Sequence, residues 1–209
     1  MQIKLPRRLT FDPPLTDLEI MTISRDAKFR VEQTPEGAVV IYPKTSIALA
    51  SPQIGMQFFQ WWEEICHEKG SVFYHAVGIR LPDGSLRSAN ASYATEARMP
   101  KRAIPRDGFP SVCPNFVIEL YGKPGSLAEL QNKMESVWLA NGVELGWLID
   151  VEERTVFFYR KGKPVEQLLQ PTEVSGEGPV AGFQLNLAKV WRKYEWQDDD
   201  EPCIEPKDG

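Results

Sequence analysis

Three cysteines and two histidines are all that the 209 residues contain. Cys66, Cys113 and Cys203 show no C-x-x-C spacing, so a disulfide framework is not expected. Cys66-His67 has no second ligand pair at a zinc-like distance, which argues against a structural zinc site. No apolar run approaches the ~18–20 residues that a membrane helix needs. The segment Met1–Arg8 carries basic residues but no apolar stretch, so it does not read as a signal peptide. The expectation is a cytoplasmic protein with no membrane partner.

A surplus of positive charge is also lacking. There are 24 Lys and Arg against 29 Asp and Glu, a net charge of −5. At face value this opposes a nucleic-acid partner, since such proteins usually carry a basic excess. The distribution alters that reading. Residues 198–209 (DDDEPCIEPKDG) hold six acids and one lysine, which leaves 23 acids and 23 bases in the rest of the chain. The body is neutral, and the excess belongs to a tail from residue 197 that reads as disordered and solvated.

Hydrophobic residues make up 42% and charged residues 25%, ordinary values for one globular domain. Residues 1–17, with Pro6, Pro13 and Pro14, read as a lead-in arm. Thr16 and Glu19 form a capping box for a short helix over 15–25. Alternation over 28–42 around Pro35-Glu36-Gly37 predicts a hairpin. The aromatic-rich segment 53–69 predicts the main core helix. Strands follow at 72–80 and 86–94, then a loop at 97–112 in which Arg98, Lys101, Arg102 and Arg106 face only Asp107. That loop is either solvated or a phosphate contact. A strand at 114–121 precedes a helix over 127–140, started by the capping box Ser126/Glu129 and stopped at Asn141-Gly142. Strands at 144–150, 154–160 and 164–169 and a short end piece at 181–192 complete a mixed α/β chain around one central sheet.

The unit from Pro114 to Trp147 could carry chemistry. Its strand holds one acid, Glu119, and its helix holds Gln131 and Lys133. At about 100° per residue, with Leu127 at zero, the apolar stripe of Leu130, Met134, Val137 and Trp138 spans roughly 280° to 20°. Gln131, at about 40°, and Lys133, at about 240°, flank that stripe on the same scale. Carboxylates on sheet strands with a nearby lysine suit metal-assisted phosphodiester hydrolysis, in which the lysine orients water or neutralises charge.

The segment PNFVIELYGKPGSLAELQNKMESVWLANGVELGWLIDVEERTVFFYRKG resembles the Uma-type family of restriction endonucleases, within the PD-(D/E)XK nuclease superfamily. FRVEQTPEGAVVIYP and VGIRLPDGSLRSANASYA extend the resemblance over about residues 18–192. It implies a restriction-endonuclease-like domain at 18–196, with a central mixed sheet flanked by helices. It also implies a Mg²⁺- or Mn²⁺-dependent DNA endonuclease, for which cutting two strands would favour a homodimer. The implied metal ligands are Glu32, position 90, position 115 and Glu119, with Lys133 and Gln131 completing the catalytic set. Two positions depart from the family pattern. Where the family has aspartates, this chain has Asn90 and Asn115, and the proline beside the first is Ala89. Asparagine keeps a carbonyl acceptor but loses the charge that hard cations depend on. Two functions follow: an endonuclease, or a non-catalytic relative that binds nucleic acid or a protein partner.

Overall fold

The computed structural model describes residues 8–24, 29–43, 50–66, 69–74, 78–99, 105, 107–123 and 125–195. The acidic tail, His67, His75, Lys101, Arg102 and Arg106 lie outside the described residues. The chain begins with strand β1 (Arg8–Leu9), helix α1 (Asp17–Ser24) and the hairpin β2 (Phe29–Gln33) and β3 (Val39–Pro43). Helix α2 (Ala50–Trp61) runs into a π-helical turn, Trp62–Cys66. Four strands follow: β4 (Gly70–Tyr74), β5 (Ile79–Arg80), β6 (Leu86–Arg87) and β7 (Ala91–Thr95). Strand β8 (Phe116–Tyr121) leads to helix α3 (Leu127–Lys133), which continues as a π-helical turn, Met134–Leu139. Strands β9 (Leu145–Asp150), β10 (Thr155–Arg160), β11 (Glu166–Leu169), β12 (Glu173–Ser175) and β13 (Gln184–Asn186) precede helix α4 (Leu187–Glu195).

The central element is a mixed six-stranded sheet in the order β11-β10-β9-β8-β7-β4. Strands β8 and β9 are parallel, joined across helix α3, and the other neighbours are antiparallel. A second sheet has the order β1-β3-β2-β6-β5, and β12 and β13 form a two-stranded ribbon. The sequence reading expected single strands at 72–80 and 86–94. Each is instead divided between the two large sheets, because the chain leaves one sheet after β4 or β6 and enters the other. Residues 8–9 of the expected lead-in pair with β3.

Alternation along the strands assigns each face a partner. Phe116, Ile118 and Leu120 of β8, with Leu145, Trp147 and Ile149 of β9, face a core shared with α2 and α4. Phe58, Trp61, Trp147 and Phe183 pack ring against ring there, at 5.1–5.5 Å between centroids. Val117 and Leu148 face the opposite side, where Met134 and Trp138 of the α3 segment cover them. Glu119 lies on that second face, a carboxylate in an apolar register with no exposure. Helix α2 is therefore the core helix its sequence suggests, but only along the Ile54/Phe58/Trp61 stripe, with Phe59 exposed. Among the described residues no helix is long and apolar enough to cross a membrane.

Close approach requires one glycine in the sheet. A Cβ on Gly70 would stand 2.3 Å from the Ala94 carbonyl oxygen on the paired strand β7. Backbone cannot yield as a side-chain end can. Gly70→Ala should lower stability by about 1–3 kcal/mol, read as a reduced urea midpoint at unchanged slope.

Candidate functional site

Glu32 on β2, Glu119 on β8 and Lys133 at the end of α3 meet between the two large sheets. The Lys133 Nζ stands 2.6 Å from Glu32 Oε1 and 2.8 Å from Glu119 Oε1. It also donates to the Ser88 carbonyl oxygen at 3.0 Å. The ammonium thus donates to Glu32 and to the Ser88 carbonyl and holds Glu119 as an ion pair. Both carboxylates have no exposure, and the lysine side chain is 9% exposed.

Two arginines complete the cluster. Arg30 shares a strand face with Glu32, two residues away, and its Nε lies 3.7 Å from Glu32 Oε1. Its second arm approaches Glu119 Oε2 at 3.6 Å, an oxygen with no hydrogen-bond partner. Arg87 reaches Glu32 Oε2 at 3.3 Å. Ser88 adds weak contacts to Glu32 Oε1, from its backbone N–H at 3.3 Å and its hydroxyl at 3.4 Å. Burial alone would raise the Glu32 carboxyl, but Lys133, Arg30 and Arg87 override it and hold the group at about 2. Burial, with Glu32 nearby, pushes the Tyr42 phenol up to about 12, and Arg30 stacks on that ring at 5.0 Å.

Helix geometry explains how the α3 segment serves Glu119 twice. Trp138 Nε1 donates to Glu119 Oε1 at 3.0 Å, the same oxygen that Lys133 approaches. In an α-helix, residues five apart point about 140° away from each other. Here the helix widens just after Lys133. Ala140 N–H donates to the Glu135 carbonyl and Val143 N–H to the Trp138 carbonyl, both five residues back. That π-helical spacing returns Lys133 and Trp138 to one face. The ideal-helix angles of the sequence reading therefore fail beyond residue 133.

The other expected residues lie elsewhere. Asn90 sits at the switch between sheets, where its Oδ1 accepts from the Leu120 N–H at 2.9 Å. Its acceptor is engaged by backbone rather than aimed at Lys133. Asn115 precedes β8, four residues and about 13 Å of strand from Glu119. Its Oδ1 accepts from the Thr95 N–H and hydroxyl at 2.9 and 3.1 Å, and its Nδ2 donates to Glu144 at 2.7 Å. Arg98 closes that second network on Glu144 at 2.6 Å, so this member of the basic loop is held by protein. Gln131 is not brought to the cluster. It lines an open cavity of about 490 Å³ with Asn132, Glu135, Phe157, Tyr159, Val165 and Gln167.

A divalent metal does not fit this donor set as it stands. Mg²⁺ and Mn²⁺ need charged oxygens that are free to turn toward them. Here the two carboxylates face three cations, the amide oxygen of Asn90 is engaged, and Asn115 is remote. The one carboxylate oxygen without a hydrogen bond, Glu119 Oε2, has a guanidinium beside it. Among the described residues, no group of three or more His, Cys, Asp or Glu could hold a metal ion.

Arg30, Arg87, Ser88 and Trp138 were missed by the sequence reading. Period-two alternation around Glu32 could have found Arg30. Nothing in an ideal helical pattern points to Trp138.

Residues 15–188 match the Uma2 family, described as "Putative restriction endonuclease". The chain belongs to that family. Its fold is shared with a crystal structure described as a putative nuclease belonging to DUF820, from Anabaena variabilis ATCC 29413. That match has a TM-score of 0.65 and 16% identity, and it covers 86% of this chain and 99% of that one. A search of curated proteins gives no match.

Two outcomes follow from the geometry. Asn115→Asp would place a carboxylate where an amide now donates to Glu144 at 2.7 Å. It should cost about 1–3 kcal/mol in equilibrium unfolding, with the loss relieved in Asn115→Asp/Glu144→Gln. The lowered Glu32 carboxyl also sets an acid limit. Its ordinary value is 4.5 and its folded value about 2, so its contribution is full above 4.5 and falls as pH drops toward 2. Glu32→Gln should flatten stability against pH within that window.

Proposed function

We propose that this chain is a nuclease-fold protein that holds nucleic-acid phosphates without hydrolysing them. The observation that carries the reading is the charge balance at the cluster: two buried carboxylates against Lys133, Arg30 and Arg87. Metal-assisted hydrolysis calls for uncommitted anionic oxygens beside the scissile phosphate. This cluster instead carries a surplus cation. The surplus is best offered by Arg30 and Arg87, whose side chains are 18% and 11% exposed. Guanidinium groups suit phosphate oxygens through planar paired hydrogen bonds. Membership of a restriction-endonuclease family supports DNA as the nucleic acid, and a neutral body with an acidic tail does not oppose it.

A second reading has its own support. Glu32, Glu119 and Lys133 converge within 2.6–2.8 Å, so the acidic and basic residues implied by the family resemblance remain together. On that reading the chain is a Mg²⁺- or Mn²⁺-dependent endonuclease in which Glu32 and Glu119 would hold the metal and Lys133 would orient water or neutralise charge.

Incubation of supercoiled plasmid with protein in excess and Mn²⁺ separates the two. The expected outcome is intact plasmid, together with DNA binding by fluorescence anisotropy that is equal in Mn²⁺ and in EDTA. That binding should weaken as salt rises, because phosphate contacts release counterions. Nicking that disappears in Glu119→Gln would establish the second reading. Absence of DNA affinity would overturn the first and leave a protein partner as the occupant.

A further inference from the structure

We infer that Lys133 is the resident cation of this fold, seated where three oxygens would otherwise form a divalent-metal site. The inference deepens the non-hydrolytic reading and rests on the same cluster. Its seat comprises Glu32 Oε1 at 2.6 Å, Glu119 Oε1 at 2.8 Å and the Ser88 carbonyl at 3.0 Å. These oxygens come from β2, β8 and the switch between sheets, three places that no local turn brings together. Such an arrangement surrounds one positive point charge, and an ammonium is such a charge.

Several features show that the seat is built for a cation rather than merely tolerating one. Both carboxylates are fully buried, and an isolated carboxylate there would be strongly disfavoured. Trp138 anchors Glu119 Oε1 from the side and also places its ring 5.4 Å from Nζ, so the π-helical turn orients both the anion and the cation. Glu119 Oε2 carries no hydrogen bond and has the Arg30 guanidinium 3.6 Å away, so its charge too is set against a cation. The lysine reaches the seat from its own helix, so occupancy is independent of the metal concentration around the protein. Oxygen ligands stand about 2.0–2.6 Å from Mg²⁺, Mn²⁺ or Ca²⁺, so exchange would require the ammonium to leave and the carboxylates to draw in.

Removing the ammonium tests this. Lys133→Met leaves an apolar chain of similar length, and Lys133→Gln retains a donor without charge. Mn²⁺ alone is the probe, read by thermal melting and by calorimetric titration. The wild-type protein should show no saturable Mn²⁺ binding and no shift in melting temperature. Both variants should melt lower and recover about 5–10 °C when Mn²⁺ reaches a hundredfold excess over its Kd. The recovery should vanish in Lys133→Met/Glu119→Gln.

Saturable Mn²⁺ stabilisation of the wild type that disappears in Glu119→Gln would overturn the inference, since the metal would then displace the lysine unaided. So would variants that gain no Mn²⁺ binding, a gain that survives loss of Glu119, or variants that fail to fold even with Mn²⁺. DNA affinity is a separate readout. Its absence would sink the proposed function while leaving the seat intact, and Mn²⁺ binding by the wild type would sink the seat while leaving DNA affinity intact.

Discussion

The contact of Lys133 with Glu32 and Glu119 is the constraint on which the rest of the arrangement depends. Glu32 belongs to one sheet, Glu119 to the other, and Lys133 to the helix that crosses between parallel strands β8 and β9. Two buried carboxylates would repel each other and drive the sheets apart. The ammonium between them, with Arg30 and Arg87 at its sides, reverses the sign of that interaction. Buried ion pairs seldom add much net stability, because desolvation offsets the attraction, but breaking one leaves an uncompensated charge at a cost of about 3–5 kcal/mol. The cluster thus acts less as a source of stability than as a condition on the packing. The sheets approach in this way with cations, Lys133 foremost, set against the two carboxylates.

The two asparagines, alike in the sequence, have different physical roles. Asn90 replaces a missing ladder partner, since β7 begins at Ala91 and the Leu120 N–H would otherwise lack an acceptor. An aspartate there would accept the same bond and bring a further negative charge to the cluster's neighbourhood. Asn115 must both accept and donate: it receives from Thr95 and gives to Glu144. An aspartate cannot donate in its ionised form. The neutrality of position 115 is therefore tied to a particular acid at 144, itself held by Arg98.

Much of the fold was legible because local signals agree with it. The Ser126/Glu129 box begins α3 where the sequence places it, and Ser126 Oγ accepts from the Glu129 N–H at 3.2 Å. The hairpin of β2 and β3 follows its turn residues, and Glu119 lies buried on a central strand. The rest depended on tertiary structure. Period-two alternation runs through residues 86–94 without marking that the chain changes sheets at Ser88–Asn90. The π-helical turn has no composition signature, so an angle of about 100° per residue set Trp138 away from Lys133, and Gln131 entered the expected set through the family resemblance. Arg30 was open to discovery from its spacing to Glu32, whereas Arg87 enters only once β6 is laid beside β2.

The separation of the cluster's members along the chain bears on when they can meet. Glu32 and Lys133 stand 101 residues apart. The β8–α3–β9 unit closes over a short loop, while joining Glu32 to it must first overcome the entropy of a much longer one. An ionic contact of that span gives nothing back until both sheets are nearly assembled. In folding it is a late checkpoint on topology rather than a nucleus, and a chain that pairs its strands wrongly is left with two acids that no lysine reaches.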